Sequence, residues 1–295
     1  MHGLRIIDFT GLDPDDNVMI EGEAIETLAA IGNHAGYAHR FLGHVKVAYL
    51  DPPYNTGRRY KHYLDKVDPF GWNTHLKELL AHVRRFLTDD GSVWLQLNDS
   101  EQHRARLALD EVFGPENFVA TIIWVRSRMP RIGLKPFSTR HDYIHIYRKS
   151  DAFRLPGRGA DPVEAIWSGE EYGSNELAAI ESSRAFQERF STPKPKQLLR
   201  RVIELATEPG DLVLDCFAGS GTTPAVAHKL GRRWIAVEVE PSTIRNFLKP
   251  RMQQVVEGTD PGGVSPDVGW SGGGGFTHLA VEDDTIKSRG ASPQV

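Results

Sequence analysis

Four consecutive residues, Asp51-Pro52-Pro53-Tyr54, combine groups that could bind an amino group attached to a flat ring. Proline lacks a backbone donor and has a fixed φ, so the Pro-Pro pair makes a stiff, extended shelf whose two carbonyl oxygens stay free to accept hydrogen bonds. Asp51 adds a carboxylate at this edge, and Tyr54 adds an aromatic face. The segment therefore predicts a site for the exocyclic amino group of a nucleobase; a plain turn after a strand is the alternative.

A second candidate site is the glycine-containing segment Asp215–Thr223, with the sequence DCFAGSGTT. Gly219 and Gly221 would let the backbone approach a ligand at the start of a helix, although many such turns only connect a strand to a helix. The segment lacks the third glycine of the nicotinamide fingerprint and the Gly-Lys-Ser/Thr of a Walker loop. Glu238, at the end of the next predicted strand, could accept both hydroxyls of a ribose. Together they predict an adenosine site without a pyrophosphate clamp.

Positive charge is concentrated in residues 121–160, although the formal net charge of the chain is −4. This block contains nine Lys/Arg residues and two Asp residues, whereas residues 255–285 contain six acidic residues and no basic one. A local basic block suits a polyanion such as DNA, and a solvated charged face is the alternative. The residues predicted to contact DNA are Arg126, Arg128, Arg131, Lys135 and Arg140.

The elements that position these motifs alternate between strand and helix. A buried strand over 43–51 precedes the Asp51 motif, and an amphipathic helix over 75–87 follows it. The later predicted elements are strands at 92–97, 118–125, 211–215 and 234–238 and helices at 104–113, 196–206 and 222–230. This alternation predicts an α/β fold with a doubly wound, mostly parallel sheet, whose ligands bind at the carboxyl ends of the strands.

Four segments together resemble the S-adenosylmethionine-dependent amino-methyltransferases of DNA. They are DPPYNTG, FAGSGTT, Thr192-Pro193-Lys194-Pro195 and GRRWIAVEVEP. Their order, with the catalytic motif first and the cofactor motif last, is similar to the permuted β group. The likeness is strongest to the modification subunits of type III restriction–modification systems, and it covers roughly residues 5–280. Those subunits are much longer than this chain, which leaves the target sequence and any restriction partner open.

The resemblance implies a circularly permuted, Rossmann-like methyltransferase fold with S-adenosyl-L-methionine as the cofactor. Asp51 and the Pro52 carbonyl would accept hydrogen bonds from the target amino group, on the shelf that Pro53 extends, and Tyr54 would stack on the flipped base. Asp215 would lie near the methionine end of the cofactor, Glu238 at its ribose and Lys194 at its carboxylate. The full set of residues that would bind the cofactor is Asp215, Phe217, Ala218, Gly219, Ser220, Gly221, Thr222, Glu238 and Lys194.

Adenine N6 in duplex DNA is the implied target, because cytosine-N4 enzymes more often carry Ser at the position of Asp51. Cytosine N4, an RNA or protein-glutamine substrate, and a catalytically silent DNA-binding homologue remain alternatives. The segments divide into a catalytic half (1–125), a target-recognition insertion outside the main sheet (126–190), a cofactor-binding half (191–254) and a glycine-rich linker with an edge strand near 276–281 and a tail (255–295). A homodimer and a cognate restriction subunit are the partners considered besides DNA.

The composition, 40% hydrophobic and 25% charged, is that of an ordinary globular protein. No apolar stretch approaches the roughly 20 residues that span a bilayer, and the first residues do not form a secretory signal. The single cysteine, Cys216, excludes an internal disulfide and a cysteine-based metal cage. His141 and His145 are interpreted as packing or phosphate contacts rather than as a metal pair. We therefore expect a cytoplasmic protein without a metal.

Overall fold

A ten-stranded β-sheet with helices on both faces forms the centre of the molecule. The structure is a computed structural model that describes residues 2–12, 17–54, 58–59, 64–65, 68–127, 137, 139–157, 162–186, 190–260 and 262–283. The strands are β1 (His2–Gly11), β2 (Val18–Glu21), β3 (Val45–Leu50), β4 (Arg58–Arg59), β5 (Leu64–Asp65), β6 (Leu87–Leu97), β7 (Phe118–Val125), β8 (His141–Arg148), β9 (Ile166–Trp167), β10 (Leu212–Asp215), β11 (Arg233–Glu238) and β12 (Gly275–Asp283).

The helices share the two faces of this sheet. They are α1 (Ala24–Asn33), α2 (Ala35–Phe41), α3 (Pro69–Phe86), α4 (Gln102–Phe113), α5 (Asn175–Ala185), α6 (Lys196–Ala206), α7 (Thr222–Lys229), α8 (Pro241–Thr243), α9 (Lys249–Glu257) and α10 (Ser265–Val268). A 3-10 turn covers Pro115–Asn117 and a π turn covers Ile244–Leu248. Within the described ranges, none of these helices is both long enough and apolar enough to cross a membrane.

The strand order is β1-β12-β2-β11-β10-β3-β6-β8-β7-β9, and the short β4 and β5 form a separate pair. The six neighbours from β12 to β6 run parallel, whereas β8 is antiparallel to both β6 and β7. This arrangement confirms the prediction of a doubly wound, mostly parallel sheet. The strand order runs outward in opposite directions from the neighbouring parallel strands β3 and β10, which makes this pair the switch point of the sheet. In such sheets the ligand-binding crevice lies at the carboxyl ends of the two strands.

Apolar periodicity explains why the helices pack as they do. Helix α3 begins with Asp68, which accepts a hydrogen bond from the Gly71 amide (3.0 Å), and it continues to Phe86 along an apolar stripe. One face of the sheet is covered by α1, α3 and α4, and the other by α6, α7 and α9. Five tryptophans among the described residues are buried in this core: Trp72, Trp94, Trp124, Trp167 and Trp234.

The prediction that residues 126–190 stand outside the main sheet is wrong for β8 and β9. Strand β8 pairs with β6 and with β7, and β9 pairs with β7. The physical reason is that β8 carries apolar side chains to both faces, including Ile144, Ile146 and Tyr147, which are buried. The predicted DNA contacts Arg128, Arg131 and Lys135 lie outside the described residues.

The C-terminal strand is also placed differently from the prediction. Strand β12 pairs antiparallel with β1 and parallel with β2, so it is an inner strand and β1 is the edge. The glycine-rich segment before it makes defined contacts with α9: Trp270 Nε1 donates to the Val255 carbonyl (2.7 Å) and the Gly273 amide to the Val256 carbonyl (2.8 Å). The interpretation of residues 255–275 as a flexible linker is therefore wrong for the part that makes these contacts.

Candidate active site

The two sequence motifs lie side by side at the switch point of the sheet. Strands β3 and β10 are neighbours, with Val47 beside Val213 and Ala48 beside Leu214. Asp51 follows the last residue of β3, and Asp215 is the last residue of β10. Burial, together with the nearby carboxylate of Asp51, raises the pKa of Asp215 to about 7. The two motifs are therefore neighbours at the edge of the sheet where ligands of such folds bind.

Both carboxylate oxygens of Asp51 are engaged. Tyr54 Oη donates to Oδ1 (2.5 Å), and Lys194 Nζ forms an ion pair with Oδ2. The same ammonium lies 5.7 Å from the centroid of the Tyr54 ring. The Lys194 and Asp51 side chains are 15% and 21% exposed, so the pair is largely shielded from water. Lys194 reaches this position because it directly precedes Pro195, the N-cap of α6.

The proline shelf is anchored by a tryptophan that the sequence analysis did not connect with it. Trp72 Nε1, from α3, donates to the Pro53 carbonyl (3.2 Å). The expectation of two free carbonyl oxygens is therefore wrong for Pro53, whose oxygen holds the shelf in place. Tyr54 is half-buried against the core, and burial raises its pKa well above the usual value. Its hydroxyl therefore stays protonated and remains a donor to Asp51.

Glu238 joins the end of β11 to the glycine loop. Its Oε2 accepts from the Gly219 amide (2.9 Å) and its Oε1 from the Glu240 amide (2.9 Å). Burial raises the pKa of Glu238, while these backbone donors act in the opposite direction. The carboxylate is thus fixed beside the loop with further lone pairs on each oxygen, as a ribose-binding residue requires.

Most of the loop's backbone donors that the structure describes are consumed within the protein. The Phe217 amide donates to Asp215 Oδ1 (2.9 Å) and the Gly221 amide to the Ala218 carbonyl (2.7 Å). The Ala218 amide donates to the Val237 carbonyl (3.0 Å). A phosphate-binding loop instead points several free amides at its anion. The loop therefore suits a nucleoside ligand without phosphates.

The two glycines of this loop are required by geometry. Gly219 has a φ of +51° and Gly221 a φ of +79°, values that side chains rarely adopt. A Cβ at Gly219 would lie 3.3 Å from Phe190 Cζ, and one at Gly221 would lie 2.7 Å from Leu248 Cδ1. The Phe190 ring packs edge-on against Phe247, with ring centroids 5.1 Å apart. These two rings form an aromatic wall beside the loop that no motif had indicated.

A buried arginine from α9 supports the same loop. Arg251, 2% exposed, donates to Thr222 Oγ1 (2.9 Å) and lies 3.4 Å from Ser220 Oγ. Burial lowers the pKa of Arg251 to about 10, which leaves it charged at neutral pH. Sequence reasoning missed this residue because it lies 29 positions after Thr222 and belongs to no recognisable motif.

A line of polar side chains, the polar chain, crosses the three neighbouring strands β3, β6 and β8 and ends at Arg126, the residue after β7. Tyr49 Oη donates to Gln96 Oε1, Gln96 Nε2 donates to Asp142 Oδ2 (3.1 Å), and Arg126 Nε donates to Asp142 Oδ1 (2.7 Å). Tyr49, Gln96 and Asp142 are buried, and the Arg126 side chain is 13% exposed. This geometry gives Arg126 a structural role, and the DNA contact expected of it stays a prediction. Arg140, by contrast, is exposed.

The histidines near the polar chain are structural. His145 Nδ1 lies 3.0 Å from Thr121 Oγ1, and its Nε2 lies 3.2 Å from the Gln102 carbonyl. Burial lowers the pKa of His145 to about 4, so the ring is neutral. Among the described residues, no group of three or more His, Cys, Asp or Glu side chains could hold a metal ion. His145 is thus a buried histidine whose two ring nitrogens both have partners, which agrees with its interpretation as a packing residue.

The family model for DNA methylase matches residues 45–249, a span that begins at β3 and contains both loops of the cleft. The chain belongs to the DNA methylase family. Within this family it is similar to the HindVI Mod subunit of a type III restriction–modification enzyme from Haemophilus influenzae, with 23% identity over 94% of this chain. The match spans 55% of that subunit, so this DNA methylase chain covers about half the length of that relative.

Other similar proteins match this chain along most of their own length. The DNA adenine methyltransferase YhdJ of Escherichia coli is 26% identical over 81% of this chain and 86% of its own. The structure of TTHA0409 from Thermus thermophilus with S-adenosyl-L-methionine covers 90% of this chain and all of its own, with 20% identity and a TM-score of 0.60. The cytosine-N4-specific PvuII methyltransferase covers 85% of this chain and 90% of its own, with 17% identity and a TM-score of 0.61. These structures confirm the Rossmann-like methyltransferase fold.

Proposed function

We propose that this chain transfers a methyl group from S-adenosyl-L-methionine to the exocyclic N6 of an adenine flipped out of duplex DNA. The observation that carries the proposal is the cleft itself. The Asp51 carboxylate and the Tyr54 ring lie at the end of β3, and the loop with its Glu238 carboxylate lies at the ends of the next two strands. An acceptor for an amino group therefore faces a site suited to a nucleoside.

The residues beside the loop fit this cofactor. Glu238 would hold the ribose hydroxyls, and the positive-φ glycines let the ligand approach the backbone closely. The internally bonded amides of the loop agree with a cofactor that has no phosphate. The residues proposed to bind it are Asp215, Phe217, Ala218, Gly219, Ser220, Gly221, Thr222, Glu238 and Lys194. When bound, S-adenosylmethionine supplies an electrophilic methyl group on a positively charged sulfur.

The contribution of the chain is to position and polarise the amino group. The lone pair of an exocyclic amine is delocalised into the ring, which makes the nitrogen a weak nucleophile. Asp51 and the Pro52 carbonyl accept hydrogen bonds from its two N–H groups. These bonds turn the lone pair out of conjugation and toward the side of the cleft that holds the loop. The Asp51 carboxylate also stabilises the positive charge that develops on nitrogen.

No covalent intermediate on the enzyme is required. Burial raises the pKa of the Cys216 thiol well above its usual value, which makes it an inert core residue rather than a nucleophile. The target base must leave the duplex, which costs a few kcal/mol. Stacking on Tyr54, worth about 1–3 kcal/mol per base, offsets much of this cost. These features favour direct transfer to nitrogen over the cysteine-dependent methylation of a ring carbon.

Adenine is favoured over cytosine because Asp51 occupies the position at which cytosine-N4 enzymes more often carry serine. A relative named as an adenine methyltransferase agrees with this choice. Duplex DNA would bind near the basic block, of which Arg140 is exposed. A restriction subunit is suggested by the name of the Mod relative, and a homodimer stays a prediction.

The experiment is to express the chain in a host that lacks DNA methylation and to sequence modified bases in the host DNA. The expected result is N6-methyladenine at one recurring sequence. The Asp51→Ala variant should produce none while retaining cofactor binding in calorimetry, because it removes an acceptor of the base and not of the cofactor. N4-methylcytosine would replace the adenine assignment. Cofactor binding without any methylated base in the wild-type host would identify a silent homologue.

A further inference from the structure

The ammonium of Lys194 occupies the place in the cleft where the amino group of a target base is expected to bind. It is a charged N–H donor on Asp51 Oδ2, and it lies 5.7 Å from the centre of the Tyr54 ring on which the base would stack. The other oxygen of Asp51 accepts from Tyr54 Oη (2.5 Å). A base that approaches this carboxylate therefore competes with a cation of the protein itself.

We propose that Lys194 is an internal ligand of Asp51 that is exchanged onto the carboxylate of the bound cofactor, so that cofactor binding opens the acceptor for the base. The inference rests on the proposed function, because it requires a cofactor with a carboxylate in this cleft. Lys194 acts in it as a positioning residue.

The exchange follows from charge balance in a poorly hydrated cleft. A lysine that is 15% exposed needs an anionic partner, and it pairs with Asp51 here. The amino group of a base is neutral, so a base that displaces Lys194 from Asp51 leaves the lysine without an anionic partner. The carboxylate of the cofactor can take the place of Asp51 as the anionic partner of Lys194, at a comparable cost in desolvation. Once Lys194 has moved to the cofactor, Oδ2 of Asp51 is free to accept a hydrogen bond from the base.

This mechanism makes a distinctive thermodynamic prediction. Asp51 and the cofactor compete for the same ammonium, so removing the charge of Asp51 should strengthen cofactor binding although Asp51 does not contact the cofactor. Asp51→Asn keeps the shape of the side chain. It should tighten binding about fivefold, which corresponds to about 1 kcal/mol for one ion pair.

The test uses isothermal titration calorimetry on the full chain with two probes. Sinefungin has the nucleoside and the amino-acid carboxylate of the cofactor but transfers no methyl group, whereas methylthioadenosine has the nucleoside without the carboxylate. Asp51→Asn should tighten sinefungin about fivefold and leave methylthioadenosine unchanged. In a Lys194→Met background, Asp51→Asn should change neither affinity. Melting curves of each variant check that it is folded.

A matched control comes from the opposite end of β3, the strand that precedes Asp51. Lys46, in β3, pairs with Asp90, and its side chain is 12% exposed, similar to Lys194. In a Lys46→Met background, Asp51→Asn should still tighten sinefungin. The exchange would be refuted if Asp51→Asn bound sinefungin no more tightly than the wild type, or if the affinity for methylthioadenosine changed equally. The proposed function would survive either result. Failure of the wild type to bind either probe would refute the proposed cofactor, and the exchange with it.

Discussion

Replacing Arg126 by methionine should destabilise the protein strongly, because it leaves a buried charge without its partner. The Arg126 and Asp142 side chains are 13% and 4% exposed and lie 2.7 Å apart. Burial raises the pKa of Asp142 even with Arg126 present. Breaking a buried ion pair at one partner costs about 3–5 kcal/mol, compared with at most about 1 kcal/mol for an exposed pair. We expect a loss of at least about 3 kcal/mol at pH 8.

Urea denaturation at equilibrium measures this loss. The control is Arg5→Met, which breaks a 2.7 Å pair with Glu282 in which Arg5 is 56% exposed, and it should cost about 1 kcal/mol or less. Without Arg126, Asp142 should take up a proton more readily, so the loss should be smaller at pH 5 than at pH 8. Asp142→Asn should restore part of the stability in the Arg126→Met background. A loss below about 1 kcal/mol at both pH values would refute the assignment of Arg126 to the fold.

Three further predictions concern the loop, the buried acid and the DNA surface. Gly219→Ala should weaken sinefungin binding about tenfold, because its Cβ would lie 3.3 Å from Phe190 and would displace the loop from the ligand-binding conformation. Gly210→Ala has a similarly strained φ of +89° but open space around its Cβ and lies outside the loop, so it should lower stability and leave affinity unchanged. Because the pKa of Asp215 rises from 3.8 to about 7, the folded protein holds a proton that the unfolded chain loses, so the free energy of unfolding should fall as pH rises through this interval, and Asp215→Asn should flatten that fall. We expect two kinds of effect on DNA binding from alanine substitution at Arg128, Arg131, Lys135 or Arg140. Loss of a phosphate contact should lower the slope of log K against log salt concentration by about one, and loss of a base contact should cost about 1–3 kcal/mol at one position of the target sequence. Arg126→Met should leave the slope unchanged.

The parts of the fold that follow from local pattern could be predicted from the sequence. Helix α6 and strand β7 have the predicted bounds, because an amphipathic stripe and an apolar run each stand between clear breaks. The prediction failed where partners distant in sequence decide the structure. Strand β6 begins at Leu87 rather than at the predicted residue 92, because the segment between these positions is held beside β3 by the ion pair of Lys46 with Asp90.

The candidate site divides in the same way. The Asp51 and Gly219 motifs could be found because their residue types and order are unusual together. Trp72, Phe190 and Arg251 could not, since their contacts with the site are made by tertiary packing and no spacing in the sequence indicates them. The ion pair of Arg126 with Asp142 could not be predicted either, because the number of charges in a segment does not show which side chains face the interior.

The pairing of β1 with β12 has a consequence for how the chain folds as it is synthesised. Strand β2 lies between β12 and β11, which the ribosome produces long after it. Strands β3, β6, β7 and β8 can pair early, whereas β10 must close a long loop to reach β3. Such contacts slow folding and leave unpaired strand edges exposed to aggregation in the meantime. Because the cleft lies on the seam between β3 and β10, binding of a nucleoside should report the last stage of folding.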